Sequence, residues 1–219
     1  MDGEVIQAIV EDVINEMTKN SSNSSAIPIS ISARHCHLCQ EDIETLFGPG
    51  YELTKKSNLS QPGQFAANET VVLIGPRDSI HSVRILGPAR SVSQVEVSKT
   101  DGIKLGVNPP LRESGDIKDS ASITLVGTKG SVYLKEGLIV AKAHIHMHPD
   151  DAETLKVTNG EYVKVTVQNE RPVTFEKVLI RVSPNYIMDM HIDTDEANSC
   201  AIENGSFGTI RHIERNNES

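Results

Sequence analysis

Ala33-Arg34-His35-Cys36-His37, followed by Asp42 and Glu44-Thr45-Leu46, recurs in this chain as Lys142-Ala143-His144-Ile145-His146, followed by Asp151 and Glu153-Thr154-Leu155. The offset is 109 residues throughout, and both histidines, the aspartate and the Glu-Thr-Leu triplet coincide. On an extended strand residues i and i+2 leave the same face, about 7 Å apart along the backbone. Each His-x-His pair therefore offers two imidazoles to one ion. Two copies imply two ions and a bridged site. A repeat of this length also predicts two related domains.

The text around the repeat is β-like. Short apolar runs occupy 27–33, 70–74, 82–86, 93–97, 122–126, 138–143, 162–167, 174–182 and 188–192. Turn signals such as Gly75-Pro76, Gly87-Pro88, Thr158-Asn159-Gly160 and Ser183-Pro184-Asn185 separate them. Short helices are expected after each His pair, over 40–47 and 149–155, the second opened by Pro149. Many short strands with few helices predict a mainly β chain of two related β-barrels. Its 219 residues are enough for a sizeable core.

Residues 1–19 predict a separate amphipathic helix, with Val5, Ile6, Ile9, Val10, Val13, Ile14 and Met17 on one stripe. Asp2 and Glu4 suit its N-terminal dipole end and Lys19 the other. The polar run Asn20-Ser21-Ser22-Asn23-Ser24-Ser25 reads as a flexible linker over 20–26. Such a stripe suits packing back on its own domain or docking on a partner's groove, and the linker favours the partner; self-association into a homo-oligomer is a further use of the same stripe.

Composition excludes several classes. A net charge of −9 argues against a phosphate-backbone partner, and the absence of Trp argues against a base-stacking platform. No window is apolar for long enough to cross a membrane, and the acidic N-terminus lacks the basic segment of a secretion signal. Cys36, Cys39 and Cys200 are too few for a disulfide scaffold, so a reducing, cytosolic setting is expected. The Cys36-x-x-Cys39 pair alone is a weak zinc signal, and Cys36 alternates away from the face of its flanking histidines.

Two histidines are one ligand short of a catalytic metal site, which takes three protein ligands and keeps a position open. Each half supplies a third in a later strand, Glu96 in Gln94-Val95-Glu96-Val97 and His191 in Met190-His191-Ile192. Thr100-Asp101 and Thr194-Asp195 follow them, aligned once a one-residue gap is allowed. The expected metal ligands are His35, His37 and Glu96 for one ion, and His144, His146 and His191 for the other. Such donors suit zinc, and also cobalt, nickel or iron. His148 is expected to begin a helix, with Cys39 as its counterpart, and His81 and His212 receive no role.

Three arginines lie near these motifs: Arg34 beside the first pair, Arg90 before the Glu96 strand, and Arg112 in Pro110-Leu111-Arg112-Glu113-Ser114-Gly115. A guanidinium near a metal recognises phosphate or carboxylate in a planar, bidentate way. No phosphate-binding Gly-rich loop and no serine nucleophile elbow is present. The residues thus point to metal-dependent chemistry on an anionic substrate. A dimetal thioester or phosphoester hydrolase and a structural zinc-binding adaptor protein are the rival readings.

Over nearly its whole length the chain resembles the PduL-type phosphate acyltransferases (phosphate propanoyltransferases) of bacterial microcompartments. Ala33–Leu38, Gln61–Ala67, Leu86–Glu96, Pro110–Gly115, His144–Met147 and Met190–Asn198 carry the resemblance. It implies two β-barrels with a dimetal site, usually zinc, between them, the same six ligands, and Arg90 as the phosphate-contacting, catalytic residue. It implies transfer of an acyl group, propanoyl foremost, between coenzyme A and phosphate. It also implies that residues 1–19 form an encapsulation peptide that binds shell or other cargo and places the enzyme in the microcompartment lumen. The first strand is expected to join the C-terminal barrel, giving barrels over 34–141 and over 27–33 with 142–213. Ala143 departs from the family, which often has Arg there, and Lys142 is the nearest substitute cation.

Overall fold

A computed structural model describes residues 26–213. The helix expected over 1–19 and the linker residues 20–25 lie outside the described residues, while Ala26, assigned to the linker, already opens a strand. In the first half of the chain come β1 (Ala26–Ser32), β2 (His35–His37), α1 (Gln40–Phe47), β3 (Lys55–Asn58), β4 (Phe65–Ile74), β5 (Ser79–Gly87), β6 (Gln94–Glu96), α2 (Lys99–Leu105), β7 (Leu111–Arg112) and β8 (Ala121–Val126). The second half holds β9 (Ser131–Ala141), β10 (His144–Met147), α3 (Pro149–Leu155), β11 (Tyr162–Val167), β12 (Val173–Val182), β13 (Asp189–Asp193), α4 (Thr194–Ser199) and β14 (Ser206–His212).

These strands close two six-stranded barrels. One runs β9-β6-β2-β5-β4-β8 and returns to β9, with β3 and β7 at its margins. The other runs β1-β13-β10-β12-β11-β14 and returns to β1. Strand for strand the pairings match in sense: β2–β5 and β10–β12 are parallel, as are β6–β9 and β13–β1. Alternation fills each interior. In β11 Val163, Val165 and Val167 are buried while their neighbours are half-exposed, and they share a core with Val178 and Ile180. In β4 Val71 and Leu73 do the same beside Leu125 and Leu138.

The two barrels are built by exchange. β1 ends two residues before β2, yet it lies in the other barrel; β9 ends two residues before β10 and does likewise. At the repeat offset of 109, β1 corresponds to the last seven residues of β9. Each half therefore gives its leading strand to its partner half. The connectors Ala33-Arg34 and Lys142-Ala143 span at most about 7 Å, so neither barrel can move far from the other. A side-chain clasp adds to this: the Gln61 amide donates to the Ile187 carbonyl at 2.9 Å and accepts from the Ile187 N–H at 3.2 Å.

Several elements differ from the sequence expectation. β4 and β9 begin five and seven residues earlier than the apolar runs at 70–74 and 138–143. α2 and α4 were not expected; each is short and held by a capping box, Ser98 with Asp101 and Asp193 with Glu196. In α4 the Glu196 carboxylate accepts from the Asp193 N–H at 2.9 Å. Burial raises the pKa of Glu196 to about 7, the charges of Asp193 and Asp195 adding to it against the backbone hydrogen bond.

The folded chain therefore keeps a proton on Glu196 that the unfolded chain releases, and the contribution of Glu196 to stability falls as pH rises from about 4.5 to about 7. Glu196→Gln retains an acceptor for the cap and removes the charge. Urea unfolding should show this variant more stable than the parent at pH 8, by up to about 3 kcal/mol, and equal to it at pH 4.5. An equal gap at both pH values would show that the carboxylate's charge is not the cause.

Candidate active site

Backbone register assembles the two donor groups. In the antiparallel β2–β6 pair His35 lies opposite Glu96, and in β10–β13 His144 lies opposite His191. His37 faces Gln94 and His146 faces Asp189 in the same ladders. The third donors thus stand at matched places 95 residues apart, and so do the helix caps Ser98 and Asp193. No gap is needed: Thr100-Asp101 and Thr194-Asp195 are one residue out of step, and their likeness is incidental.

The six side chains converge as two triplets. His35, His37 and Glu96 bring one ligand atom each within 4.8 Å of one another, and so do His144, His146 and His191. The His35 and His37 rings are 5.1 Å apart and nearly perpendicular, and those of His144 and His146 are 4.8 Å apart at the same angle. Both distances are shorter than the backbone spacing because the rings tilt inward. His35 Nε2 lies 3.6 Å from Glu96 Oε2.

Neighbouring groups fix how these donors point. His35 Nδ1 faces the Ala33 carbonyl at 2.9 Å, and His144 Nδ1 faces the Lys142 carbonyl at 2.8 Å. A proton held there leaves the Nε2 lone pair free. Each third donor is held by the residue two before it on the same strand. The Gln94 amide donates to Glu96 Oε1 at 2.6 Å, and Asp189 Oδ2 lies 3.0 Å from His191 Nε2. An amide steadies the carboxylate and a carboxylate steadies the imidazole.

His144 Nε2 and His146 Nε2 face each other at 3.1 Å, while His146 Nδ1 and Asp189 Oδ1 are buried without a hydrogen-bond partner. Facing ring nitrogens beside orphaned buried atoms are what a cation would satisfy. Three nitrogens in one triplet, and two nitrogens with a carboxylate in the other, fit a divalent ion with positions left open.

The protonation states agree with that donor chemistry. Burial lowers His37 to about 3, helped by the charges of His35 and Arg90. Burial lowers His144 to about 4, with His191 next in effect, and His146 to about 2, with His144 and His191 next. Burial works to raise Glu96, but His35, the Ser114 hydroxyl, His37 and His144 together hold it at about 2. That His144 acts on Glu96 places the two triplets within electrostatic reach across the seam.

Both triplets open onto one cleft of about 560 Å³ between the barrels. Arg90 lines it and forms no ion pair among the described residues. Arg34 also lines it, but its guanidinium is bound to Asp101 at 2.8 Å. Arg112 lies outside the cleft lining and pairs with Asp116 at 3.8 Å. Lys142, the nearest substitute cation for the absent arginine, lies outside the cleft lining; its ammonium bonds the Tyr162 hydroxyl at 3.0 Å and lies 3.6 Å from Glu113. Ala143 is buried in the core of its barrel. Cys36 is fully buried, burial pushes its thiol far up, and no cysteine lines the cleft. His148 caps α3, its Nδ1 accepting from the Asp150 N–H at 3.3 Å. Gln94, Asp189, Arg181 and Tyr186 complete the surroundings, and none of them was singled out in the sequence; the ring of Tyr186 stands edge-on to His146 at 4.3 Å.

Comparison with known proteins shows the family to which the chain belongs. The model of the phosphate propanoyltransferase family matches residues 28–203. A phosphate propanoyltransferase of Priestia megaterium is 63% identical over 210 residues, covering 96% of this chain and 97% of the relative. One of Lachnoclostridium phytofermentans is 53% identical, covering 96% and 100%, and one of Salmonella typhimurium is 46% identical, covering 93% and 95%.

In protein freed of divalent metal, the imidazoles of His37, His144 and His146 should be neutral at pH 5, where a solvated histidine is mostly charged. Nitrogen chemical shifts of labelled imidazoles measure this directly. Because the unfolded chain takes up protons that the folded one refuses, stability should also fall as pH drops from about 6.5 towards 4. Charged imidazole signals from these three residues at pH 5 would contradict the buried donor set.

Proposed function

The chain belongs to the phosphate propanoyltransferase family, and from that premise we propose that it interconverts acyl-CoA plus phosphate with acyl phosphate plus coenzyme A, propanoyl-CoA being the preferred thioester. The observation that carries this is the shared cleft: two triplets of donors and the unpaired Arg90 guanidinium open onto the same space. The six triplet residues would hold two divalent ions, zinc foremost. Bound there, the ions supply Lewis acidity towards a carbonyl oxygen and a soft contact for sulfur.

The protein's own residues do the rest. Arg90 binds phosphate and offsets its repulsion from the second anionic substrate, placing an oxygen for attack on the thioester carbon. Gln94 and Asp189 hold Glu96 and His191 in place. The carbon–sulfur bond breaks as the carbon–oxygen bond forms, and the proton of hydrogen phosphate leaves on the coenzyme A thiol. With no cysteine in the cleft lining, direct displacement without an acyl-enzyme is favoured. The donor sets, three per group rather than four, favour a catalytic over a structural metal role. No described helix is long and apolar enough to cross a membrane. For the N-terminal segment, the stripe at residues 5–17 supports docking on a microcompartment shell or its cargo, and so a place in the lumen.

Release of coenzyme A from propanoyl-CoA should depend on phosphate and yield propanoyl phosphate. Removal of bound metal with a chelator should abolish it, and Arg90→Ala should raise the phosphate KM or lower kcat at least tenfold, on the order of a lost charge-assisted contact. Free propanoate formed without phosphate would favour a hydrolase instead. Deleting residues 1–20 should leave turnover in solution and remove co-purification with shells; unchanged co-purification would defeat the docking role.

A further inference from the structure

Among the described residues, where the arginine ion pairs are Arg34–Asp101 and Arg112–Asp116, two guanidinium groups of the cleft lining have neither an ion pair nor a side-chain hydrogen bond. One is Arg90. The other is Arg181, on β12, to which no role has been given. In the parallel β10–β12 pair Arg181 is the register partner of His146, as Leu179 is of His144. Side chains at paired positions leave a sheet on the same face, so Arg181 faces the cleft beside His146 and lines it with Tyr186 and Arg90.

The other barrel offers a comparison within the same molecule. There β5 flanks the His35–His37 strand and carries Arg84 opposite His35. Arg84 also reaches the cleft lining, but its Nη1 donates to the carbonyls of Ala67 and Asn68, both at 2.9 Å. That guanidinium is held by its own barrel. Arg181 makes no side-chain hydrogen bond or ion pair among the described residues, although it is half-buried. Arg90 and Arg181 are also close enough for each to act on the other's charge. Glu96 offsets part of the charge of Arg90, but two guanidinium groups facing one partly buried space still repel each other, and a divalent anion between them turns that repulsion into attraction.

Resting on the phosphotransacylase reading, the geometry points to a two-arginine clamp in which Arg181 joins Arg90 in holding the phosphoryl group of phosphate and acyl phosphate. Phosphate groups also belong to coenzyme A. The position of Arg181 against His146, at the donor triplet, favours the reacting phosphoryl group over those of the coenzyme.

The test uses the full chain with its bound metal, as Arg181→Gln and Arg181→Lys. The phosphate KM is measured in the direction that forms acyl phosphate, and the coenzyme A KM in reverse. Arg181→Gln should raise the phosphate KM about 10- to 100-fold, the scale of one lost charge-assisted contact, with the coenzyme A KM within about twofold of the parent on the same scale. Arg181→Lys should fall between, because it keeps the charge and loses the planar fork. Calorimetric titration with inorganic phosphate alone should show the same order of affinity. An unchanged phosphate KM overturns the clamp, and so does a rise confined to coenzyme A, which would assign Arg181 to the coenzyme's phosphates. Should the Gln variant not fold, the Lys variant decides: a several-fold rise in phosphate KM supports the clamp and none overturns it. If the parent protein itself shows no phosphate-dependent release of coenzyme A, the proposed function has failed; if it does and the variants match it, only the clamp has.

Discussion

Everything in this molecule depends on two short crossings of the backbone. Ala33-Arg34 carries the chain from β1 in one barrel to β2 in the other, and Lys142-Ala143 carries it back from β9 to β10. Each crossing delivers a His-x-His strand to the seam at once, so the two pairs cannot avoid facing a common space. The crossings also supply the carbonyls of Ala33 and Lys142 that face Nδ1 of His35 and His144. One constraint thus places the imidazoles and orients them.

The seam is the polar exception in an otherwise apolar interior. Each barrel keeps its own hydrophobic core, and the buried polar side chains between them include His35, His37, Gln94, Glu96, His144, His146 and Asp189. Burying so many polar groups is costly unless each finds a partner. Gln94 meets this need for Glu96 and Asp189 for His191, while His146 Nδ1 and Asp189 Oδ1 remain unpaired. The unpaired polar atoms left in the seam therefore lie at and beside the His144–His146–His191 triplet, where a bound cation would offset their cost. Local stiffness comes from outside: capping boxes fix α2, α3 and α4 immediately after β6, β10 and β13.

Much of this could be read from the amino-acid order, and the parts that could not share a physical reason. α1, α3 and β11 fall on the expected residues because their apolar periodicity or caps are local. β3 is exposed along its length and β14 turns Phe207 outward, so neither offers an apolar run. The start of β9, exposed or half-exposed over Ser131–Glu136, mixes Val132, Tyr133 and Leu134 with polar residues and so offers no continuous apolar run either. α2 and α4 are too short for a stripe, but the Ser98-x-x-Asp101 and Asp193-x-x-Glu196 caps were a usable signal. The six donors were legible because duplication marked them. Arg181 was not, since its place beside His146 exists only through β-pairing, and Arg34 was misleading until Asp101, 67 residues away, was seen to hold it.

The central claim is that each barrel contributes one three-donor site at a shared seam, and diffraction measures it most directly. A crystal of the protein as purified, with data collected on both sides of the zinc absorption edge, should show two anomalous peaks, one within bonding distance of His35, His37 and Glu96 and the other of His144, His146 and His191. Well-ordered side chains at these positions with no metal density in either triplet, in protein that turns over its substrates, would contradict the account.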